Sequence, residues 1–281
     1  MTASTAMDVP QQNEPAPDGP GRSVTDWNAG WVSTVLPLLR AVGKLWFRSE
    51  VTGMEKVPDG GVLLVSNHSG GLLAYDVPLI AVAFADEFGP QRPLCTLAHD
   101  LITTTPLATV FKKYGFLRAH PKEAVAALEE GQATLVFPGG DWEVMRPVWE
   151  SATIDFGGNK GYVRTAVEAG VPIVPIVSIG GQETQLFFTD GRRLARLTRL
   201  DKLFRFTRVP LGIGFPFGIT PGMPPNIPAP AKIVTRVLDP IDITAEFGAD
   251  PDLDAVDAHV RDRMQTALTE LAEQRRFPII G

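Results

Sequence analysis

The residues best suited to chemistry stand in a short polar stretch, Asn67-His68-Ser69-Gly70-Gly71, followed by Asp76. A histidine with an acid one short loop away has the makings of a general base. The carboxylate fixes the imidazole tautomer and stabilises the imidazolium formed when the ring takes a proton. Gly70 and Gly71 allow the loop to fold back so that the acid reaches the ring, although they would serve a plain surface turn equally well. An isolated histidine is more often structural than catalytic. A second candidate loop is Pro138-Gly139-Gly140-Asp141-Trp142-Glu143, with Arg146 just beyond it. Its glycines let backbone N–H groups approach a ligand carbonyl or phosphate. Read without a ligand, the same residues make a β-turn.

Both loops need strands to deliver them. The apolar run 62–65, Val-Leu-Leu-Val, is bounded by Gly61 and by Ser66-Asn67 and predicts a buried strand. Residues 133–137 predict another, and in open α/β sheets ligands bind at the carboxyl ends of strands. Further strands are expected at 93–97, 171–179, 209–215 and 233–238. Helices are expected at 77–84, at 121–130 with Pro121 near its start and Gly131 as its stop, at 162–168, and at 253–275 on Val256, Val260, Met264, Leu268 and Leu271. The fold class is therefore α/β, a mixed sheet with helices on both faces.

With 281 residues and a hydrophobic fraction of 44%, the chain suits one large domain with appendages. Its net charge of −6 argues against a nucleic-acid binder that works through bulk charge. Cys95 stands alone, which leaves no intramolecular disulfide and no cysteine zinc site and accords with a reducing cytosol. Residues 1–22 are rich in Pro and polar residues and read as a disordered tail without the pattern of a secretory signal. Residues 23–47 hold a helix with Trp31, Val35, Leu38, Leu39, Val42, Leu45 and Trp46 at helical spacing. Pro37, Arg40 and Lys44 make it a poor membrane span. It reads equally as a helix packed on the domain or as an interfacial helix. The stretch 192–208 carries Arg192, Arg193, Arg196, Arg199, Lys202, Arg205 and Arg208 among leucines and phenylalanines. That mixture suits an anionic membrane surface, with nucleic acid and a solvated helix as the other readings.

Taken in order, Asn67-His68 with the later Asp76, the segment Tyr114 to Arg118, Phe137-Pro138-Gly139-Gly140, and Val171-Pro172-Ile173-Val174-Pro175-Ile176 resemble the glycerolipid acyltransferase superfamily. The likeness is closest to the Phe-Pro-Gly-Gly branch of mono- and diacylglycerol acyltransferases, and it makes 48–281 the acyltransferase domain. By that resemblance His68 deprotonates an acceptor hydroxyl, Asp76 orients it, and the hydroxyl attacks an acyl thioester directly. No cofactor is implied; acyl-CoA or acyl carrier protein is a co-substrate, and the partners are an acyl donor, a lipid acceptor and an anionic membrane surface. Asn67, Arg118, Pro138, Gly139, Gly140, Trp142, Glu143 and Arg146 are the substrate-binding candidates. The implied location is peripheral, on the cytoplasmic face of the cell membrane. A noncatalytic lipid-binding protein on the same fold is the competing reading, and a lysophosphatidic acid acyltransferase proper is the alternative within the family. This sequence departs from the family in two places. Seven residues separate His68 from Asp76 where the family usually has four, and Trp142 stands where the family has a phosphate-contacting Arg.

Overall fold

The computed structural model describes residues 24–70, 73–103, 105–189, 191, 210–221, 226–275 and 277. The expected tail 1–22 and the basic stretch 192–208 lie outside the described residues.

The β-branched and aliphatic run after Gly61 becomes β2 (Val62–Ser66), every residue of which is buried. Such a run, apolar at successive positions, is what a strand covered on both faces requires. It stands at the centre of a seven-stranded sheet with β1 (Glu50–Thr52), β3 (Leu94–Ala98), β4 (Phe116–Arg118), β5 (Ala133–Val136), β6 (Ile173–Ile179) and β10 (Val234–Val237). The strand order is β1-β10-β6-β2-β5-β3-β4. All neighbours are parallel except β10 and β6, which makes the sheet mixed, as expected.

Alternation along β2 assigns the two faces. Leu63 and Val65 join a core with α7 (Gly161–Ala169) and α9 (Leu253–Gln274), while Val62 and Leu64 join Ile80 and Phe84 of α2 (Asp76–Phe88). The expected apolar positions of α9, Val256, Val260, Met264, Leu268 and Leu271, are all buried. α5 (Pro121–Glu129) begins at Pro121 and packs Leu128 on the α9 side.

Several details differ from the sequence expectation. The N-terminal segment divides into α1 (Ala29–Ala41), capped by Asn28, and a π-helical turn at Val42–Trp46. Val32 and Leu36 of α1 pack on Val82 and Ala85 of α2. Between β3 and β5 lie two short helices, α3 (Asp100–Thr103) and α4 (Ala108–Lys112), then the short strand β4, which local pattern did not signal. The strand expected at 209–215 shrinks to β8 (Gly212–Gly214). It leaves the main sheet and joins β7 (Leu186–Phe187) and β9 (Gly218–Thr220) in a small antiparallel sheet. Its glycines and prolines cannot sustain a longer ladder. A short helix, α6 (Asp141–Val144), follows β5, and α8 (Ile243–Phe247) precedes α9. Among the described residues no helix is long and apolar enough to cross a membrane.

Candidate active site

The site is built where β2 and β5 end side by side. Their parallel register pairs Val65 with Val136, so the loops that leave the two strands emerge together. On the other flank β6 pairs Ser66 with Ile176. Asn67 locks that flank: its Nδ2 donates to the Ser178 carbonyl at 2.9 Å, and its Oδ1 accepts from the Ser178 N–H at 2.9 Å. Asn67 is fully buried and acts as a brace between strands, directly before His68.

His68 and Asp76 meet despite the long separation in sequence. Nδ1 of His68 lies 3.2 and 3.3 Å from the two oxygens of Asp76. The carboxyl also accepts from the Ser69 N–H at 2.8 Å and from the Val77 N–H at 3.1 Å. Asp76 is the first residue of α2, where the helix dipole and unpaired backbone donors favour an anion. Gly70 makes the return possible. Its φ of +108° suits glycine, and a Cβ there would run into Gln182. The Asp76 side chain has no exposure and that of His68 keeps 11%, so the acid is sealed while the histidine side chain keeps some access to solvent. Because a carboxylate can only accept, it holds the proton on Nδ1 and leaves the Nε2 lone pair for a substrate.

The second loop shapes the first. The Phe137 ring stacks on His68 with centroids 4.0 Å apart and planes inclined by 6°. Sequence reading quoted Phe137 in its motif without singling it out; the adjacency of β2 and β5 is the signal that would have found it. Glu143 turns inward from α6 and its Oε2 accepts from the His68 backbone N–H at 3.0 Å. Gly139 is required by that turn, because a Cβ would overlap the Glu143 carboxyl. Burial pushes the Glu143 carboxyl up to about 7, against the opposing pull of Arg146 and of the His68 N–H. Arg146 is buried as well: its Nη2 lies 3.5 Å from Glu143 Oε1, and its Nη1 donates to the Thr153 carbonyl at 2.6 Å.

The remaining candidates are distributed as follows. Pro138 offers its carbonyl to Asn159 at 2.9 Å, and Gly140 opens the turn into α6. The Trp142 indole N–H is committed to Asp155 at 2.7 Å. Arg118 ends β4, which β5 and β3 separate from β2 by roughly 14 Å at ordinary strand spacing. It does not adjoin His68. Arg192, Arg193, Arg196, Arg199, Lys202 and Arg205 fall outside the described residues. A cavity of about 740 Å³ opens elsewhere, between the end of α1, β1 and α2, and is lined by Gly43, Ser49, Met54 and Leu79 among others.

A doubly flanked mixed sheet that carries a histidine–aspartate pair at its central strand end beside a Phe-Pro-Gly-Gly loop defines an acyltransferase class of α/β protein. Comparison with known proteins agrees: residues 48–179 match the family model described as Acyltransferase. An uncharacterized protein of Mycobacterium tuberculosis is 33% identical over 249 residues, covering 88% of this chain and 66% of its own length. A mouse protein named as a DGAT1/2-independent enzyme synthesizing storage lipids is 28% identical over 219 residues, covering 73% of this chain and 60% of its own. The chain thus spans about two-thirds or less of the length of these relatives. The crystal structure of the 1-acyl-sn-glycerophosphate acyltransferase of Thermotoga maritima superposes with a TM-score of 0.54 at 20% identity. That match covers 86% of this chain and 82% of the other, and it shows the fold.

Proposed function

We propose that this protein is a peripheral membrane O-acyltransferase that moves a fatty acyl group from acyl-CoA or acyl carrier protein to a glycerolipid hydroxyl. The observation that carries the reading is the His68–Asp76 pair, with Nδ1 held by a fully buried carboxylate and the His68 side chain still 11% exposed. In this mechanism Nε2 of His68 takes the acceptor's hydroxyl proton as the alkoxide oxygen attacks the thioester carbonyl. The tetrahedral intermediate collapses, the C–S bond breaks, and His68 returns the proton to the departing thiolate. A thioester brings its own good leaving group, so neither an acyl-enzyme nor a cofactor is invoked. Phe137 keeps the ring plane fixed, and Asn67, Glu143 and the Ser69 N–H hold the backbone and acid around it.

For the acceptor, the committed indole of Trp142 and the interior setting of Arg146 favour a glyceride without a terminal phosphate. The name of the mouse relative, a storage-lipid enzyme, points the same way. Attachment to the cytoplasmic face of a membrane is supported by a stripe on α1 and its π-helical turn. Leu38, Val42, Leu45 and Trp46 repeat at helical spacing and remain exposed, Leu45 at 81%. The test is purified protein with labelled acyl-CoA and a panel of lipid acceptors, followed by product identification. An acylated glycerolipid is expected with the native chain. His68→Ala, folded by circular dichroism, is expected to lose about 10²- to 10⁴-fold in turnover. Equal turnover in the two proteins sinks the mechanism.

A further inference from the structure

The small antiparallel sheet is not used by the chemistry above, yet its outer hairpin has an unusual surface. β8 and β9 are joined by the turn Phe215-Pro216-Phe217. At the base Gly212 is buried against Phe187 and Thr220 is buried beside it, but the tip is open: Phe215 is 74% exposed, Phe217 55% and Ile219 67%. A loose, mobile loop would explain such exposure, but this turn is held in place. The Phe217 N–H donates to Asn226 Oδ1 at 3.0 Å, Asn226 Nδ2 donates to the Gly218 carbonyl at 3.3 Å, and the Ile227 N–H donates to the Phe215 carbonyl at 2.7 Å. The fold orders a hairpin and then leaves its aromatic side chains in water, where each costs hydration free energy without any packing in return.

The apolar surface does not stop at the hairpin. Ile227 is exposed, and one residue later the Pro228 carbonyl accepts the Trp46 indole N–H at 3.0 Å. That bond ties the hairpin's bracing segment to the end of the helical stripe, beside Leu45. Charge distinguishes what could cover this surface. Although the whole chain is net −6, no Asp or Glu occurs between Asp201 and Asp239, the span that contains the hairpin and its brace. In sequence the basic stretch 192–208 runs into this span from its N-terminal side. Aromatic and branched aliphatic side chains on a projecting tip, in an acid-free span flanked by cations, match the headgroup and acyl boundary of an anionic bilayer.

We propose that the β8–β9 hairpin is a second membrane-docking element, which inserts Phe215, Phe217 and Ile219 into an anionic bilayer alongside Leu45 and Trp46 at the end of the N-terminal helix. The assignment rests on the reading of the protein as a peripheral lipid enzyme. Two anchors at separate points fix the orientation of a protein on a membrane, whereas one leaves it free to swivel.

The probe is a phosphatidylcholine vesicle containing about one-third phosphatidylglycerol. Co-sedimentation of the full chain is compared with that of the double variant Phe215→Ser/Phe217→Ser, whose vesicle partitioning is expected to fall about tenfold or more with unchanged circular dichroism. A second measurement places an environment-sensitive dye on Phe217→Cys. Cys95 is fully buried and its thiol is pushed up to about 12, first by burial and then by Glu130, so the introduced thiol is the one that labels. Vesicles are expected to shift the dye's emission to the blue and bilayer spin labels to quench it, while dye on the exposed Glu129→Cys of α5 stays unchanged. If the native chain does not bind vesicles, the peripheral reading and this inference fall together. If it binds but the double variant binds equally and the dye at 217 is silent, the hairpin assignment alone is overturned. A change in oligomeric state of the double variant, in place of lost vesicle binding, makes the surface a protein interface and overturns it as well. Normal hairpin insertion without acyl transfer to any acceptor leaves the docking element standing and removes the enzymatic reading.

Discussion

Asp76→Asn is the substitution for which the structure makes the most detailed prediction, because each oxygen of Asp76 is committed twice. Oδ2 accepts from the Ser69 N–H at 2.8 Å and lies 3.2 Å from His68 Nδ1; Oδ1 accepts from the Val77 N–H at 3.1 Å and lies 3.3 Å from the same nitrogen. An asparagine must replace one oxygen by an NH₂ group, and neither choice works. Loss of Oδ2 sets the amide against the fully buried Ser69 N–H, and loss of Oδ1 sets it against the Val77 N–H, which keeps the Ala74 carbonyl as a second acceptor at 3.1 Å. A buried polar group left unpaired costs about 1–3 kcal/mol, so the midpoint of thermal unfolding should fall. The NH₂ group also meets Nδ1, which favours the tautomer with Nδ1 bare and the proton on Nε2. The nitrogen facing the substrate can then no longer accept a proton, and turnover should fall by about 10²- to 10⁴-fold. The assay is steady-state acyl transfer from labelled acyl-CoA to the acceptor found in the panel, beside a thermal melt of the same preparation. Asp76→Glu serves as the comparison, since it keeps the charge and displaces the carboxylate. Turnover within about twofold of native in a folded Asp76→Asn protein would falsify the assignment of Asp76 as the group that orients His68.

Three further outcomes follow from the second loop. Glu143 is held near 7 in the fold against an ordinary 4.5, so between those values the folded chain keeps a proton that the unfolded chain releases. Stability therefore declines as pH rises through that window, by about 3 kcal/mol from this group. Glu143→Gln keeps an acceptor for the His68 N–H and removes the titration, so urea unfolding from about pH 5 to 8 should show the variant gaining on the native chain; a constant difference refutes it. Gly139→Ala puts a methyl group onto the Glu143 carboxyl and should cost about 1–3 kcal/mol together with a lower kcat, whereas a native-like melt and rate would show that Glu143 can move aside freely. Trp142→Arg breaks the bond to Asp155 and offers a guanidinium beside the glycine loop. In competition between a neutral glyceride and lysophosphatidic acid the ratio should shift towards the phosphate, and an unaltered ratio would separate position 142 from acceptor choice.

Much of this architecture was legible because the signals are local. The apolar run before Asn67, the Pro121 start of α5, the Ala133 strand and the buried stripe of α9 each follow from a few neighbouring residues and the period of their own element. The small sheet of β7, β8 and β9 was not legible, since two- and three-residue strands carry no usable period. The split of the N-terminal segment into α1 and a π-helical turn depends on packing against α2.

For the site, the sequence by itself determined the chemistry-bearing residues: a histidine after a buried strand, an acid at the head of the next helix, and a glycine loop after another strand. Tertiary structure alone decided what those residues do to one another. The loop between His68 and Asp76 closes because Gly70 takes a left-handed turn against Gln182 and because the carboxylate gains two backbone donors at the start of α2. Phe137 lies beneath the imidazole because β5 is the spatial neighbour of β2, although β3 and β4 come between them in the chain. Glu143 points to the His68 backbone, and Arg146 lies buried behind it, because Gly139 leaves room for the carboxyl. The physical reason is common to all three. A hydrophobic period fixes which face of an element is buried, but the direction of a polar side chain at a loop is set by partners on strands distant in sequence, through hydrogen bonds that exist only once the register of the sheet is made.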